Sequence, residues 1–90
     1  MKTGLLVMTR GIKAATDETP LYTREILTAL DRYRKGDWGE MSEDDKAAND
    51  SAVLLGDDRV FAAYETSKGK VYIITEYDRS ATTVLFAHEY

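Results

Sequence analysis

Cysteine is absent from this sequence of 90 residues, and proline, tryptophan and histidine each occur once. The absence of cysteine excludes a disulfide framework, thiolate metal ligands and a cysteine nucleophile. Packing alone must therefore stabilise the fold, and a chain of this length has room for one core. We expect a single domain over residues 1–90, located in the cytoplasm.

Long apolar runs are also missing. The run Leu5–Met8 has only four residues, whereas the apolar region of a signal peptide needs roughly 7–15 and a membrane span about 20. We therefore expect a soluble protein with no secretion signal and no contact with a membrane.

No motif with a specific chemistry is present. The sequence has no HExxH, no glycine-rich phosphate loop and no zinc-ligand spacing. Its one histidine, His88, lies two positions before the last residue, where partners are poorly held at fixed distances. The sequence predicts no catalytic residue, no metal site and no cofactor.

Negative charge is concentrated in the middle of the chain. The net charge is −4, but residues 36–58 carry eight acids against one base, and the remaining residues carry eight acids against eleven bases. Such a run is typical of a solvated helix face. It is also what a surface that docks on a basic partner needs, and the sequence leaves both interpretations open.

Two helices are predicted. The first runs from about Pro20 to Lys35, with Thr19 as its N-cap, Pro20 at the first helical position and Gly36 after a basic last turn. Its apolar stripe contains Tyr22, Ile26, Leu30 and Tyr33.

Ser42 caps the second predicted helix, which Gly56 ends. Asp44 and Asp45 lie in its first turn, where the helix dipole favours negative charge. Its thin apolar side is expected to contain Ala47, Ala48, Ala52 and either Val53 or Leu55.

Four strands are predicted from short apolar runs and from alternating patterns. Leu5–Met8 reads as a buried strand, and Lys13–Thr19 as a loop. The other strands are Val60–Tyr64, Val71–Tyr77 and Thr82–Phe86, with a turn at Thr66–Gly69. The order β-α-α-β-β-β predicts an α+β domain with both helices on one face of a largely antiparallel four-stranded sheet.

Two polar stretches hold the candidate binding residues. Trp38, between two glycines, is either a plug that fixes the interhelical loop against the core or a partly exposed anchor for a protein partner. In Asp78-Arg79-Ser80, the acid and the hydroxyl are expected to cap a turn. Arg79 either pairs with Asp78 or Glu76 across this turn or joins Arg10 at the same sheet end as an anion-recognising pair.

Several motifs resemble a family of short proteins from conjugative plasmids and integrated mobile elements of Gram-positive bacteria. They are "LVMTRGI" (Leu6–Ile12), "GDWG" (Gly36–Gly39), "EDDK" (Glu43–Lys46), "AYE" (Ala63–Glu65) and "TEYDRSATTVLF" (Thr75–Phe86). Members carry labels such as plasmid-related protein or type I restriction-modification subunit, and a methyltransferase domain does not fit into ninety residues. The resemblance implies a mobile element in a bacterial cytoplasm and no activity.

Two functions are compatible with these features. The first is a non-enzymatic accessory or regulatory protein that binds a protein partner through Trp38, Asp44 and Asp45, with Arg79. The alternative is suggested by the element order, which is similar to that of RelE-type toxins: a nucleic-acid-binding protein or RNase that uses Arg10 and Arg79. Its net negative charge disfavours nucleic acid. A free sheet edge at the first or last strand predicts a monomer or a weak homodimer.

Overall fold

A computed structural model describes all 90 residues, and in it three helices separate the first strand from three consecutive antiparallel strands. The elements are β1 (Leu5–Met8), α1 (Arg10–Glu18), α2 (Tyr22–Arg34), α3 (Glu43–Leu55), β2 (Val60–Thr66), β3 (Gly69–Thr75), β4 (Ala81–Phe86) and a closing 3-10 turn (Ala87–Glu89). The prediction of an α+β domain with four strands is confirmed.

The sheet has the order β1-β4-β3-β2 and is mixed. β2, β3 and β4 pair antiparallel, whereas β1 pairs with β4 in parallel, with Leu5 opposite Ala81 and Met8 opposite Val84. A parallel neighbour needs a long crossover connection, and here the three helices and the β2–β3 hairpin supply it. The expected antiparallel arrangement therefore holds for two of the three strand pairings.

The helix α1 was not predicted, because Lys13–Thr19 reads as a polar loop. Thr9 begins this helix, since its hydroxyl accepts a hydrogen bond from the backbone N–H of Ile12. Only Ile12 and Ala15 are buried on it, so its apolar stripe is too narrow to give a clear period. The fold therefore has three helices rather than two.

The other helices match their predictions within two residues at each end. Ser42 caps α3 by accepting from the N–H of Asp45, and Gly56 ends it in the left-handed conformation. The expected cap of α2 is wrong: Thr19 ends α1, and Leu21 occupies the N-cap position with no side-chain hydrogen bond.

The core lies between the helices and one face of the sheet. Alternate residues of β2, β3 and β4 point into it, together with residues from all three helices. Its largest fully buried side chains are Tyr22, Tyr33, Tyr64, Ile12 and Ile73.

β1 is an exposed edge strand, and the prediction that it is buried is wrong. Its four residues, Leu5, Leu6, Val7 and Met8, are 70, 44, 37 and 45% exposed. A short apolar run predicts a strand but cannot show whether a second neighbour covers it, and β1 pairs only with β4.

Candidate functional site

Arg79 lies in the turn between β3 and β4 and binds the end of α3. Its Nη2 donates to the carbonyl oxygen of Ala52 at 2.9 Å, and its Nη1 donates to the carbonyl oxygens of Asp58, Glu76 and Tyr77. A cation at the C-terminal end of a helix also meets the negative end of the helix dipole. The guanidinium of Arg79 is therefore committed to holding α3 against the turn.

Asp78 caps this turn, as the sequence predicts. Its carboxylate accepts a hydrogen bond from the backbone N–H of Ser80 at 3.0 Å. Hydrogen bonding from the side chain of Ser80, and then from its backbone, lowers the pKa of Asp78. Gly4 passes so close to the turn that a Cβ on it would overlap the carbonyl oxygens of Arg79 and Ser80. The start of β1 and the end of α3 therefore both contact the turn that contains Arg79.

Arg10 and Arg79 do not form a pair. Arg79 precedes the start of β4, whereas Arg10 follows the end of β1, and these two strands run in parallel with Leu5–Met8 opposite Ala81–Val84. A ladder of four residue pairs, about 10 Å long, separates the two arginines. The predicted anion-recognising pair is wrong, because it assumed that both residues lie at one end of the sheet.

Trp38 is buried, with 5% of its surface exposed. Its indole Nε1 donates to Oδ1 of Asp50 at 2.8 Å, and its ring meets the edge of Tyr33 with the centroids 5.4 Å apart. The interpretation as a plug fits this position. The interpretation as a partly exposed anchor is wrong, because a side chain that a partner must reach cannot lie inside the core.

The loop around Trp38 covers the β2 edge of the sheet. The N–H of Ala63 donates to the carbonyl oxygen of Trp38 at 3.2 Å, and the N–H of Glu40 donates to the carbonyl oxygen of Ala63 at 2.7 Å. Gly39, with φ of 72°, lies directly against Ala63. One edge of the sheet is thus closed by the chain itself, and the β1 edge is not.

Part of the acidic segment has structural partners. Asp37 pairs with Arg32 at 2.7 Å, and the hydrogen bond from this guanidinium lowers the pKa of Asp37. Asp50 accepts from Trp38, and Glu43 lies 3.7 Å from the amine of Lys46. The exposed carboxylates with no cation within 4 Å include Glu40, Asp44, Asp45 and Asp57.

The helix α3 exposes most of its surface. Only Asn49 and Ala52 are buried among its 13 residues. The amide of Asn49 exchanges two hydrogen bonds with the backbone of Phe61, at 2.8 and 3.1 Å. Asn49, Ala52 and Arg79 therefore fix the inner side of α3, and the residues on its outer side are exposed.

Two adjacent leucines end that outer side. Leu54 is 84% exposed and Leu55 is 65% exposed. The expected apolar side of this helix is therefore wrong except at Ala52, since Ala47, Ala48 and Val53 are exposed as well. Asp44, Ala48, Ser51 and Leu55 follow one another at intervals of four, three and four residues, which places them in one row along the helix. We call this row, together with Leu54, the α3 outer face.

The remaining polar side chains of the core satisfy one another. Tyr33, Thr75 and Thr82 form a chain of hydroxyl contacts at 2.6 and 2.7 Å, and Thr82 donates to the carbonyl oxygen of Thr3 at 2.7 Å. No buried side-chain nitrogen or oxygen lacks a partner. Desolvation by burial raises the pKa of Tyr33 to about 12.

No protein family, curated protein or solved structure matches this chain. None of the three helices is long and apolar enough to cross a membrane. No group of three or more histidine or acidic side chains is arranged so that it could hold a metal ion.

Proposed function

We propose that this chain is a small accessory or regulatory protein of a bacterial mobile element, acting in the cytoplasm by binding a protein partner and without catalysis. The α3 outer face is the surface that binds this partner. One observation carries the proposal: α3 exposes Leu54 and Leu55 at one end and unpaired carboxylates at the other.

The α3 outer face has the composition of a docking helix. Leu54 and Leu55 are 84 and 65% exposed, so burial of their side chains adds little to the stability of the fold. The helix is already anchored on its other side without them. Burying them against a partner would contribute about 1.5–3 kcal/mol each before the costs of association. The small side chains of Ala48 and Ser51 between them and Asp44 allow a close approach of a flat surface.

The charges define the kind of partner. Asp44 lies three turns before Leu55 in the same row, about 16 Å away, and Asp45 lies beside it with no cation within 4 Å. The matching surface has an apolar pocket for the leucines and lysine or arginine side chains at that distance. Charges at the rim of such an interface mainly raise the rate of association and set its orientation.

The experiment is an affinity capture from a native host, followed by identification of the proteins retained. We compare the wild type with Leu54→Ser/Leu55→Ser and with Asp44→Asn/Asp45→Asn. The matched control is Leu21→Ser/Leu27→Ser, which removes two leucines of α2 and its cap that are 69 and 58% exposed. Circular dichroism verifies that each variant folds.

The proposal expects a protein that the wild type and the Leu21/Leu27 control retain and that both α3 variants lose. Added salt should also reduce capture by the wild type, since screening weakens the same charge contacts that the Asp44/Asp45 variant lacks. If both α3 variants retain the same proteins as the wild type, the α3 outer face is not the binding surface.

The nucleic-acid alternative has no observation in its favour. Arg10 and Arg79 lie apart, and the guanidinium of Arg79 is bound to backbone carbonyls. The test of this alternative is to express the chain in bacteria and to measure its binding to nucleic acid at several salt concentrations. We expect intact cellular RNA and no salt-sensitive binding.

A further inference from the structure

The β1 strand presents an unpaired edge. The N–H groups of Leu5 and Thr9 donate to carbonyl oxygens of Ser80 and Val84 in the β4 chain. Backbone groups of successive residues in a strand point in opposite directions, so those of Leu6 and Met8 point away from the sheet. They form a row of free donors and acceptors on a strand without charge, proline or bulge, and such edges recruit another strand.

Both faces of this strand are apolar. Leu6 and Met8 lie on the helix-bearing face, since they stand opposite the buried Thr82 and Val84 of β4, and Leu5 and Val7 lie on the other face. An incoming strand must therefore be apolar on both of its faces. An ordinary amphipathic strand would place polar side chains against one of them.

The strand that meets these requirements is β1 itself. We propose that two copies of this chain pair antiparallel along their β1 edges, about a two-fold axis perpendicular to the sheet. The product is one continuous eight-stranded sheet, closed at both outer ends by the loop around Trp38. The inference concerns a surface that is separate from the α3 outer face and does not depend on the proposed function.

The two-fold axis fixes the register. Only residues on the same face can stand opposite one another, and the outward groups belong to Leu6 and Met8. With Val7 opposite Val7 of the second copy, Leu6 stands opposite Met8 of the other chain, and these two outward residues exchange both hydrogen bonds on each side of the axis. Leu6 and Met8 then meet on one face and the two Val7 side chains on the other. The register centred on Leu6 would instead set Met8 against Gly4, which lies outside β1 and has a φ of 61°.

The small exposed area of β1 limits the stability of this dimer. The four β1 side chains expose on the order of 300–400 Å² per chain, the size of an ordinary apolar surface patch. A stable interface buries about 800 Å² per partner. We therefore expect a reversible monomer–dimer equilibrium that shifts with concentration rather than a permanent dimer.

The test is sedimentation velocity over a wide range of protein concentration, combined with hydrogen exchange at single amides. The expected mass of the wild type rises from 10.1 kDa towards twice that value. The amides of Leu6 and Met8, but not exposed amides elsewhere, should become protected as concentration rises. This second readout needs no substitution and therefore does not depend on a variant that folds.

Two variants complete the design. Leu6→Pro removes one outward N–H, and proline is tolerated on an edge strand when its position faces away from the ladder. Leu5→Lys/Val7→Lys sets like charges against each other across the two-fold axis. Both should remain monomers at concentrations where the Leu21→Lys/Leu27→Lys control still forms dimers.

The proposal is overturned by a mass that stays at the monomer value while the amides of Leu6 and Met8 exchange freely at all concentrations. It is equally overturned by a dimer that persists in both β1 variants. Failure here leaves the proposed function standing, because the α3 variants should dimerise as the wild type does and lose only the captured partner.

Discussion

Arg79 and Ala52 are joined by a hydrogen bond from the guanidinium to the backbone carbonyl, across 27 positions of sequence. The same guanidinium also reaches the carbonyl of Asp58 in the segment that follows α3. These contacts hold the end of α3, and hence Leu54 and Leu55, in a fixed position on the sheet. A residue that the sequence predicts as a ligand-binding group instead positions the helix that we propose binds the partner.

Replacing Arg79 tests this role. We expect Arg79→Ala to lower the free energy of unfolding by about 1–3 kcal/mol, because it removes the guanidinium that donates hydrogen bonds to four carbonyl oxygens. Arg79→Lys should restore only part of the loss, since one ammonium lacks the fork that spans two segments. Urea unfolding measures both, with the exposed Arg10→Ala as a control. A variant Arg79→Ala as stable as that control would contradict the assignment.

Glu89 makes a second set of long-range hydrogen bonds, which join the end of the chain to the start of α1. Its carboxylate accepts from the hydroxyl of Thr9 at 2.7 Å and from the backbone N–H groups of Gly11 and Phe86 at 3.1 and 2.8 Å. Burial would raise the pKa of Glu89, but these hydrogen bonds outweigh it and the pKa is lowered. Gly11 permits the contact, since a Cβ there would lie 2.6 Å from the carboxylate.

The sign of the pH dependence follows from that lowered pKa. The contribution of Glu89 to stability is present above the ordinary glutamate pKa of 4.5 and is lost as pH falls through the lower folded value. We expect Glu89→Gln to be less stable than the wild type at pH 7 and to lose less stability on acidification. The comparison is unfolding at pH 7 and pH 3, with Glu40→Gln as the control. Parallel losses in all three chains would refute this role.

The buried hydroxyl chain gives a prediction at alkaline pH. Because Thr82 donates its proton to Thr3, Thr75 must donate to Thr82 and Tyr33 to Thr75. Tyr33→Phe leaves Thr75 without a donor and should cost about 1–3 kcal/mol. Tyr77→Phe, at a side chain that is 67% exposed, should change stability by less than about 0.5 kcal/mol.

The raised pKa of Tyr33 adds a pH window to the same experiment. A phenol whose folded pKa of about 12 exceeds the usual 10 stabilises the fold below pH 10, and this contribution is lost between pH 10 and 12. Tyr33→Phe should therefore lose less stability than the wild type over that range. An unchanged alkaline slope would show that the phenol is not protected by the fold.

Substitutions at Gly39 and Gly56 together test whether the loop around Trp38 closes the β2 edge of the sheet. Both have positive φ, 72 and 68°, but a Cβ on Gly39 would overlap the carbonyl oxygen of Ala63, whereas Gly56 has open space around it. Gly56→Ala should cost about 1–2 kcal/mol, the strain of the left-handed conformation. Gly39→Ala should cost more than this, and the amide of Ala63 should lose protection. Equal losses would mean that the loop does not depend on this close approach.

Local signals predicted most of the elements. The hydroxyl of Ser42, the turn at Gly56 and the alternation after Val60 each act within a few residues, and the structure confirms α3 and the β2–β3 hairpin there. The helix α1 was missed because only Ile12 and Ala15 are buried on it.

The candidate sites depended on contacts that no local pattern contains. The hydrogen-bond partner of Trp38 is Asp50, twelve positions away in the sequence, and Arg79 contacts Ala52, 27 positions away. The exposure of β1 follows from its place at the sheet edge, and the exposure of Leu55 from the way Asn49 clamps α3 to β2. These are tertiary facts, so the sequence named Asp44 and Asp45 as candidate binding residues but not Leu54, and it offered Leu55 only for the apolar side of the helix.

The affinity of the captured partner for purified chains tests the central claim most directly. We expect Leu54→Ser/Leu55→Ser to weaken binding by roughly 10–100-fold, as loss of two interface leucines at about 1 kcal/mol or more each implies. The Leu21→Ser/Leu27→Ser control should bind within about twofold of the wild type, since scattered surface leucines contribute little. Equal affinity of the α3 variant and this control would contradict the proposal that the α3 outer face binds the partner.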